Sequence, residues 1–438
     1  MKTRRILLFS LSLCIIAIIF PHTLIGQEID KTYKWNYKVN PDSRVALGNY
    51  DTDIVIHTWD KPEVEFHMII NAEFRNEEDA EEVDDYLKRL KFSSSSGRTE
   101  LNSRFWKSRT NIMGISTMVL EGLKPIRYRK FKMECILWIP EEASLELNTK
   151  YSEVKIEDLG AELILDSYDD EIYAESVGEK ASIVAKYSEM EFSDMKDVDL
   201  DLYNCDLLMK DVGDLKIITK YSEITAADAG ILDIDSYEDE LSFENCGDIK
   251  FIAKYSELNA GLAGKLVADN YECEFTADKI TNARIQAKYS DFVITMADHL
   301  DIISFYEGGI ESENVKSIEI KETKYAEYNI EVLGKDLIIV EGYEDNIAVE
   351  RLTTGMQKID INGKYLDIEM GIAFNFDCRL KANIRYPDLD IDEDIFRTKI
   401  HIKEGSDLEY EGIKGTEKTG MPELLISGYE VNLSISEY

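Results

Sequence analysis

The acids and tyrosines of this chain recur at spacings that could do chemistry. Aligned on the apolar residues around them, Glu153, Glu171, Glu189, Asp206, Glu223, Glu240, Glu257, Glu274 and Asp291 occupy one repeating position, just before the first apolar residue after a corner. Like charges at neighbouring positions repel, so lysines or bound cations must compensate. Lysines are the expected partners; calcium is the cation that would take their place, and no other cofactor is expected. The tyrosines Tyr187, Tyr203, Tyr221, Tyr237, Tyr255 and Tyr271 recur at the same corners. A phenol has an apolar face and a hydrogen-bonding tip, so such a row would suit a sugar-binding strip. Packing of the corner itself is the simpler use of the rings.

Other reactive patterns fail on inspection. Asp388, Asp390 and Asp392 alternate like a calcium loop, but Glu393 stands where glycine is required and Lys399 where the bidentate acid should be. A glycosidase-like pair of carboxylates would break the repeat at one place, whereas these acids recur in every unit. No HExxH, GxSxG, phosphate loop or dinucleotide fingerprint occurs. Histidine is scarce, with His57, His67, His299 and His401 beyond residue 26. The protein is therefore expected not to be an enzyme.

Past Cys14 the cysteines are Cys135, Cys205, Cys246, Cys273 and Cys378, an odd set without CxxC spacing. Cys205 and Cys273 lie four units apart, ~19 Å at ~4.8 Å per stacked strand, too far for a disulfide. Cys246 falls in the slot of Val177, Val212 and Val315, and Cys135 alternates with Met133 and Leu137, so both read as core.

The elements that position these residues are short strands. A tyrosine recurs at Tyr151, Tyr168, Tyr187, Tyr203, Tyr221, Tyr237, Tyr255, Tyr271, Tyr289, Tyr306, Tyr325, Tyr343 and Tyr365, about 18 residues apart. Two versions alternate, Lys186-Tyr187-Ser188-Glu189 and the lysine-free Ser167-Tyr168-Asp169-Asp170. Apolar residues alternate with period two on either side, the mark of half-buried strands. Units this short must stack to bury a core. The expectation is an all-β chain, a parallel β-solenoid of about 13 tyrosine-corner rungs.

Charge selects one unit per turn. Two units per turn would stack Lys150, Lys186 and Lys220 directly, a like-charge ladder. One unit per turn, aligned on core residues, puts Lys186 beside both Asp166 and Asp201. The same alignment gives lysine-free corners two extra residues, Leu200 to Leu207 against Ala185 to Met190.

Four segments follow. Residues 1–26 read as a signal peptide, with Lys2, Arg4 and Arg5 before an apolar run ended by Pro21. Lipid attachment at Cys14 is disfavoured by bulky Leu13. Residues 27–140 read as a β-rich cap with one helix, capped by Asn76 and burying Ala80, Val83, Leu87 and Leu90. Residues 141–371 hold the solenoid, and 372–438 a C-terminal β cap continuing it. No other run is long and apolar enough to span a membrane, so an exported protein of the periplasm or cell surface is expected.

The net charge of −37 argues against nucleic acid as a partner, while 44% hydrophobic residues argue for a folded chain. The basic run Lys124, Arg127, Arg129, Lys130 and Lys132 reads as a solvated strand face, with another copy's acidic solenoid as its alternative partner.

The corners resemble those of the bacterial adhesin domain family of unknown function. The likeness begins at Asn49-Tyr50-Asp51-Thr52-Asp53 and ends at Ser427-Gly428-Tyr429-Glu430. It departs by placing glutamate or aspartate where that family's corners carry glycine. The resemblance implies a parallel β-solenoid with an adhesion-like or scaffolding role, a protein or glycan partner at the cell envelope, and no catalytic residues. A purely structural, self-associating protein is the alternative.

Overall fold

The computed structural model describes residues 27–391 and 394–438. The signal peptide, Cys14, Asp392 and Glu393 therefore lie outside the described residues. The chain is all-β with one helix among the described residues. Two compact units are present, one of residues 34–68, 91–104 and 134–438, the other of residues 27–33, 69–90 and 105–133.

In the larger unit, each strand pairs in parallel with the equivalent strand of the next tyrosine unit. Ala181–Lys186 lies on Val198–Tyr203, and Glu189–Met195 lies on Asp206–Val212. Leu145, Leu163, Ala181, Val198, Leu215, Leu232 and Ile249 form one register column. One tyrosine unit therefore makes one turn. Inward side chains such as Leu165, Ile183, Leu200 and Ile217 stack on one another and are buried. Each contributes about 1.5–3 kcal/mol of burial.

The expected register of the lysine is wrong by two residues. Lys186 pairs with Tyr168 and Tyr203, while Asp166 and Asp201 pair with Val184. The reason is Leu202, only 2% exposed, which is the true partner of Ala185 and the last inward residue before the corner. Both corner types therefore have the same length, Ala185 to Met190 and Leu202 to Leu207. The lysines are separated by tyrosines instead of aspartates. Lys220 Nζ lies 5.8 Å from the Tyr237 ring centroid and Lys324 Nζ 4.7 Å from that of Tyr343.

The corner turns at one left-handed residue. Tyr151, Asp169, Tyr187, Asn204, Tyr221 and Glu238 have φ between 51° and 61°, and the pattern continues up the stack. In lysine units this residue is the tyrosine; in the others it is the acid or amide just after it. At the opposite turn, glycine answers a different constraint. A Cβ on Gly213 would lie 2.5 Å from the Lys196 carbonyl oxygen, because successive backbones touch there.

The last strand enters the stack out of order. Glu423–Glu437 lies between Lys358–Ile372 and Cys378–Arg385, parallel to both. The hairpin of Arg397–Glu404 and Asp407–Lys414 precedes it and pairs antiparallel to Cys378–Arg385.

The smaller unit contains the helix Glu77–Arg89. Asn76 Oδ1 accepts from the Asp79 N–H at 2.7 Å, and Ala80, Val83 and Leu87 are buried. Leu90 is the C-cap and is only part-buried. Asp84 accepts from Tyr33 at 2.6 Å and Lys31 at 2.8 Å. Burial works against its charge, but these bonds and Lys88 hold the carboxyl well below the usual range.

The corner makes a direct prediction. Asp169→Gly relieves a left-handed residue and should raise stability by about 0.5–1 kcal/mol. Tyr255→Gly relieves the same strain but removes two ring contacts, at 5.5 and 5.7 Å, and should lower stability. Urea unfolding of both variants checks the pair; a rise in both would show that the rings add nothing.

Candidate binding surface

Inside each corner, small polar side chains form a buried ladder. Asp170 takes N–H bonds from Ser152 at 2.8 Å and Tyr168 at 3.0 Å, and a hydroxyl bond from Ser167 at 2.7 Å. Asp239 repeats the arrangement with Ser222, Tyr237 and Ser236. Cys205 and Cys273 fill the same position in alternate lysine-free units, their N–H groups donating to Ser222 Oγ and Ser290 Oγ. Burial raises both thiols. Cys246 pairs with Ala229 in the expected slot but is only half-buried, its thiol pushed up to about 11. The position is thus less enclosed than core filler would be.

Asp345 is the most buried of these acids. Burial pushes its carboxyl up to about 6 against N–H donors from Ala326 and Tyr343, both at 2.9 Å.

Outside the corner, the tyrosines form one continuous row. From Tyr50 through Tyr151, the successive corner tyrosines and Tyr365 to Tyr429 and Tyr386, neighbouring ring centroids lie 5.3–5.8 Å apart at 71–87°. This brings Tyr187, Tyr203, Tyr221, Tyr237, Tyr255 and Tyr271 together in sequence. Each ring face meets the edge of its neighbour, so the row offers rims and hydroxyls more than open faces. Glu238 and Glu272 hydrogen-bond Tyr237 and Tyr271 and raise their phenols.

The acidic column runs beside this row. Glu153, Glu171, Glu189, Asp206, Glu223, Glu240, Glu257 and Glu274 pair in strict register. Asp291 follows, its N–H donating to the Cys273 carbonyl as Glu274 N–H donates to Ser256. Lys155 pairs with Glu153 at 2.5 Å. Among the described residues, the column from Glu171 to Asp291 forms no ion pair, so lysine compensation is confined to its first member. Exposure to water does the rest of the screening.

Beyond Asp291 the pattern changes in a way the sequence alignment missed. Gly309 donates its N–H to Asp291 Oδ1 at 2.7 Å, and the column then alternates acid with amide as Glu327, Asn346, Asp367, Asn432 and Asp388. Asn432 donates to Asp367. Amides in a carboxylate column were a readable signal of hydrogen bonding, had the register been known. Asp388 and Asp390 are exposed on the strand Asp388–Ile391.

Between row and column lies a groove of about 650 Å³, bounded by Tyr221, Glu238, Tyr255 and Glu272 on one side and Glu223, Glu240 and Glu257 on the other. No group of three or more His, Cys, Asp or Glu converges to hold a metal among the described residues. In the smaller unit, Arg127, Arg129, Lys130 and Lys132 are exposed, and Arg129 pairs with Glu73 at 2.7 Å.

Asp345 supplies a pH prediction. Its folded carboxyl titrates near 6 against 3.8 ordinarily, so between those values the folded state holds a proton that the unfolded state lacks. Its contribution to stability should fall as pH rises from about 4 to about 6, by on the order of 3 kcal/mol. Urea unfolding across this window should show a flatter profile for Asp345→Asn than for the parent. Parallel profiles would contradict it.

No family model matches the chain, and no curated protein does. Among solved structures it is similar to a candidate cell adhesion protein from Clostridium sporogenes, at 10% identity over 93% of this chain and 100% of that one, TM-score 0.16. It is also similar to a candidate adhesin from Bacteroides fragilis, at 13% identity over 68% of this chain and 96% of that one, TM-score 0.19. The structural neighbours are thus described as adhesion proteins, and so distant a likeness leaves the argument to this chain's own geometry.

Proposed function

We propose that this protein is an exported, non-catalytic, adhesin-like binding module whose working surface is the groove between the tyrosine row and the acidic column. The observation that carries this is the juxtaposition of half-exposed phenol rims with a column of carboxylates that forms no ion pair from Glu171 to Asp291, repeated turn after turn over that stretch. A single catalytic centre would differ from its neighbours. This surface repeats the same groups at ~4.8 Å intervals, which suits a linear ligand. Carboxylates attract ammonium groups, and the phenol hydroxyls beside them accept hydrogen bonds from the same groups. The ligand class is therefore a linear polymer carrying ammonium groups, either a basic protein segment or an amino-sugar glycan.

Binding of polylysine and of chitosan oligomers, measured by calorimetry over a range of salt, tests this reading. Affinity should fall with added salt, and the pair Tyr221→Ala and Tyr255→Ala, by removing two phenol hydroxyls, should weaken it about tenfold. Affinity unchanged by the tyrosine substitutions and by Glu223→Gln, Glu240→Gln and Glu257→Gln together would refute it. Self-association that grows with concentration, without binding either polymer, would favour the structural alternative. Calcium occupying the same column should raise the melting temperature at millimolar concentration. Identical melts with calcium and with chelator would remove the cation.

A further inference from the structure

In the larger unit, the strands that lead into the corners carry a second charge pattern on their outward side. Leu215–Lys220 turns Lys216, Ile218 and Lys220 outward, and Ile249–Lys254 turns out Lys250, Ile252 and Lys254. The strands between them turn out acids instead, Asp199 and Asp201 from Val198–Tyr203, Asp233 and Asp235 from Leu232–Tyr237. Parallel register carries this order on through Asp269 to Arg284 and Lys288, so basic and acidic stripes alternate turn by turn. Each kind of stripe recurs every ~9.6 Å, two strand spacings.

Pairing within the chain uses only part of this charge. Lys250 pairs with Asp233 at 2.8 Å and Arg284 with Asp301 at 3.1 Å. Asp201, Asp235 and Asp269 form no ion pair among the described residues, and neither do Lys220, Lys254 and Lys288. Between the lysines of their turns, Ile218 is 43% exposed and Ile252 40%. A second copy satisfies the pattern by symmetry. A two-fold axis parallel to the strands, midway between the turns of Tyr237 and Lys254, sets every basic turn against an acidic one: Lys254 against Tyr237, Lys220 against Asp269, Lys288 against Asp201. Asp235 then lies over the partner's Ile252, flanked by the partner's Lys250 and the partner's Lys254.

We propose that this striped face pairs with the same face of a second copy, giving a closed two-fold dimer that leaves both acidic columns open. Other pairings bring like charges together. The strands after the corners hold an acid in every turn from Glu171 to Asp291, so against their own copy, or against the acidic stripes, carboxylate meets carboxylate. The six turns from Val198–Tyr203 to Lys288 cover about 29 by 20 Å, roughly 600 Å² per copy, above the ~500 Å² per copy that a specific interface must clear. The net charge of −37 does not forbid the contact, because charges beyond about 8 Å are screened at physiological ionic strength.

Sedimentation velocity of the chain from Gln27 onward, up to about 100 μM, should show a monomer–dimer equilibrium that stops at two copies. Asp201→Lys, Asp235→Lys and Asp269→Lys together make every stripe basic and should weaken the dimer at least about tenfold. Lys220→Glu, Lys254→Glu and Lys288→Glu together make the stripes acidic and should weaken it likewise. Because all six side chains are exposed, both variants should keep the parent's melting temperature. Mixed together, the basic and acidic variants should recover a heterodimer, an outcome that loss of folding could not produce. A parent chain that stays monomeric overturns the proposal without any variant. Association that continues past two copies, or a dimer indifferent to both charge reversals, overturns it equally.

Discussion

The corner register governs this molecule. Once per turn the chain must place one residue in the left-handed region, directly over the equivalent residue of the previous turn, at the spacing of stacked strands. Whatever occupies the corner is thereby repeated along the stack within van der Waals reach of itself. Identical tyrosines at one position would be forced into near-parallel stacking at ~4.8 Å, which the ring quadrupole disfavours. Identical lysines would repel.

Alternation removes both conflicts at once. By moving the tyrosine one residue along the corner in every second turn, the chain opens the ring separation and turns neighbours edge to face, as Tyr187 and Tyr203 show at 5.6 Å and 78°. The position vacated in one turn is filled by lysine, and in the next by an acid or amide. Lys186 therefore lies between Tyr168 and Tyr203, so successive lysines are held two strands apart. The two motifs are a packing rule written into the sequence. The same rule leaves the phenol rims in an unbroken line beside the acidic column, which together are the surface proposed to bind.

Much of this was legible before the structure. Period-two alternation gave the strands, the lysine repulsion gave one unit per turn, and Asn76 with its following acids gave the helix. The acidic column emerged because alignment on the residues after the corner is correct there. Alignment before the corner failed. Leu202 was not recognised as inward-facing, so Lys186 was set against the wrong residues. Asp170 was indistinguishable from its exposed neighbour Asp169 for the same reason, since a shift of one residue exchanges inside for outside. The insertion of Glu423–Glu437 between earlier strands left no local signal, because parallel pairing is decided by topology and not by residue type.

The central claim is that consecutive tyrosines hold one another edge to face across the stack. A double-mutant cycle between Tyr221 and Tyr237, whose centroids lie 5.8 Å apart, measures this directly in urea unfolding. The account predicts a coupling of about 0.5–1.5 kcal/mol for this pair and none for Tyr221 with Tyr255, two turns away. Equal coupling in both pairs, or none in either, would contradict it.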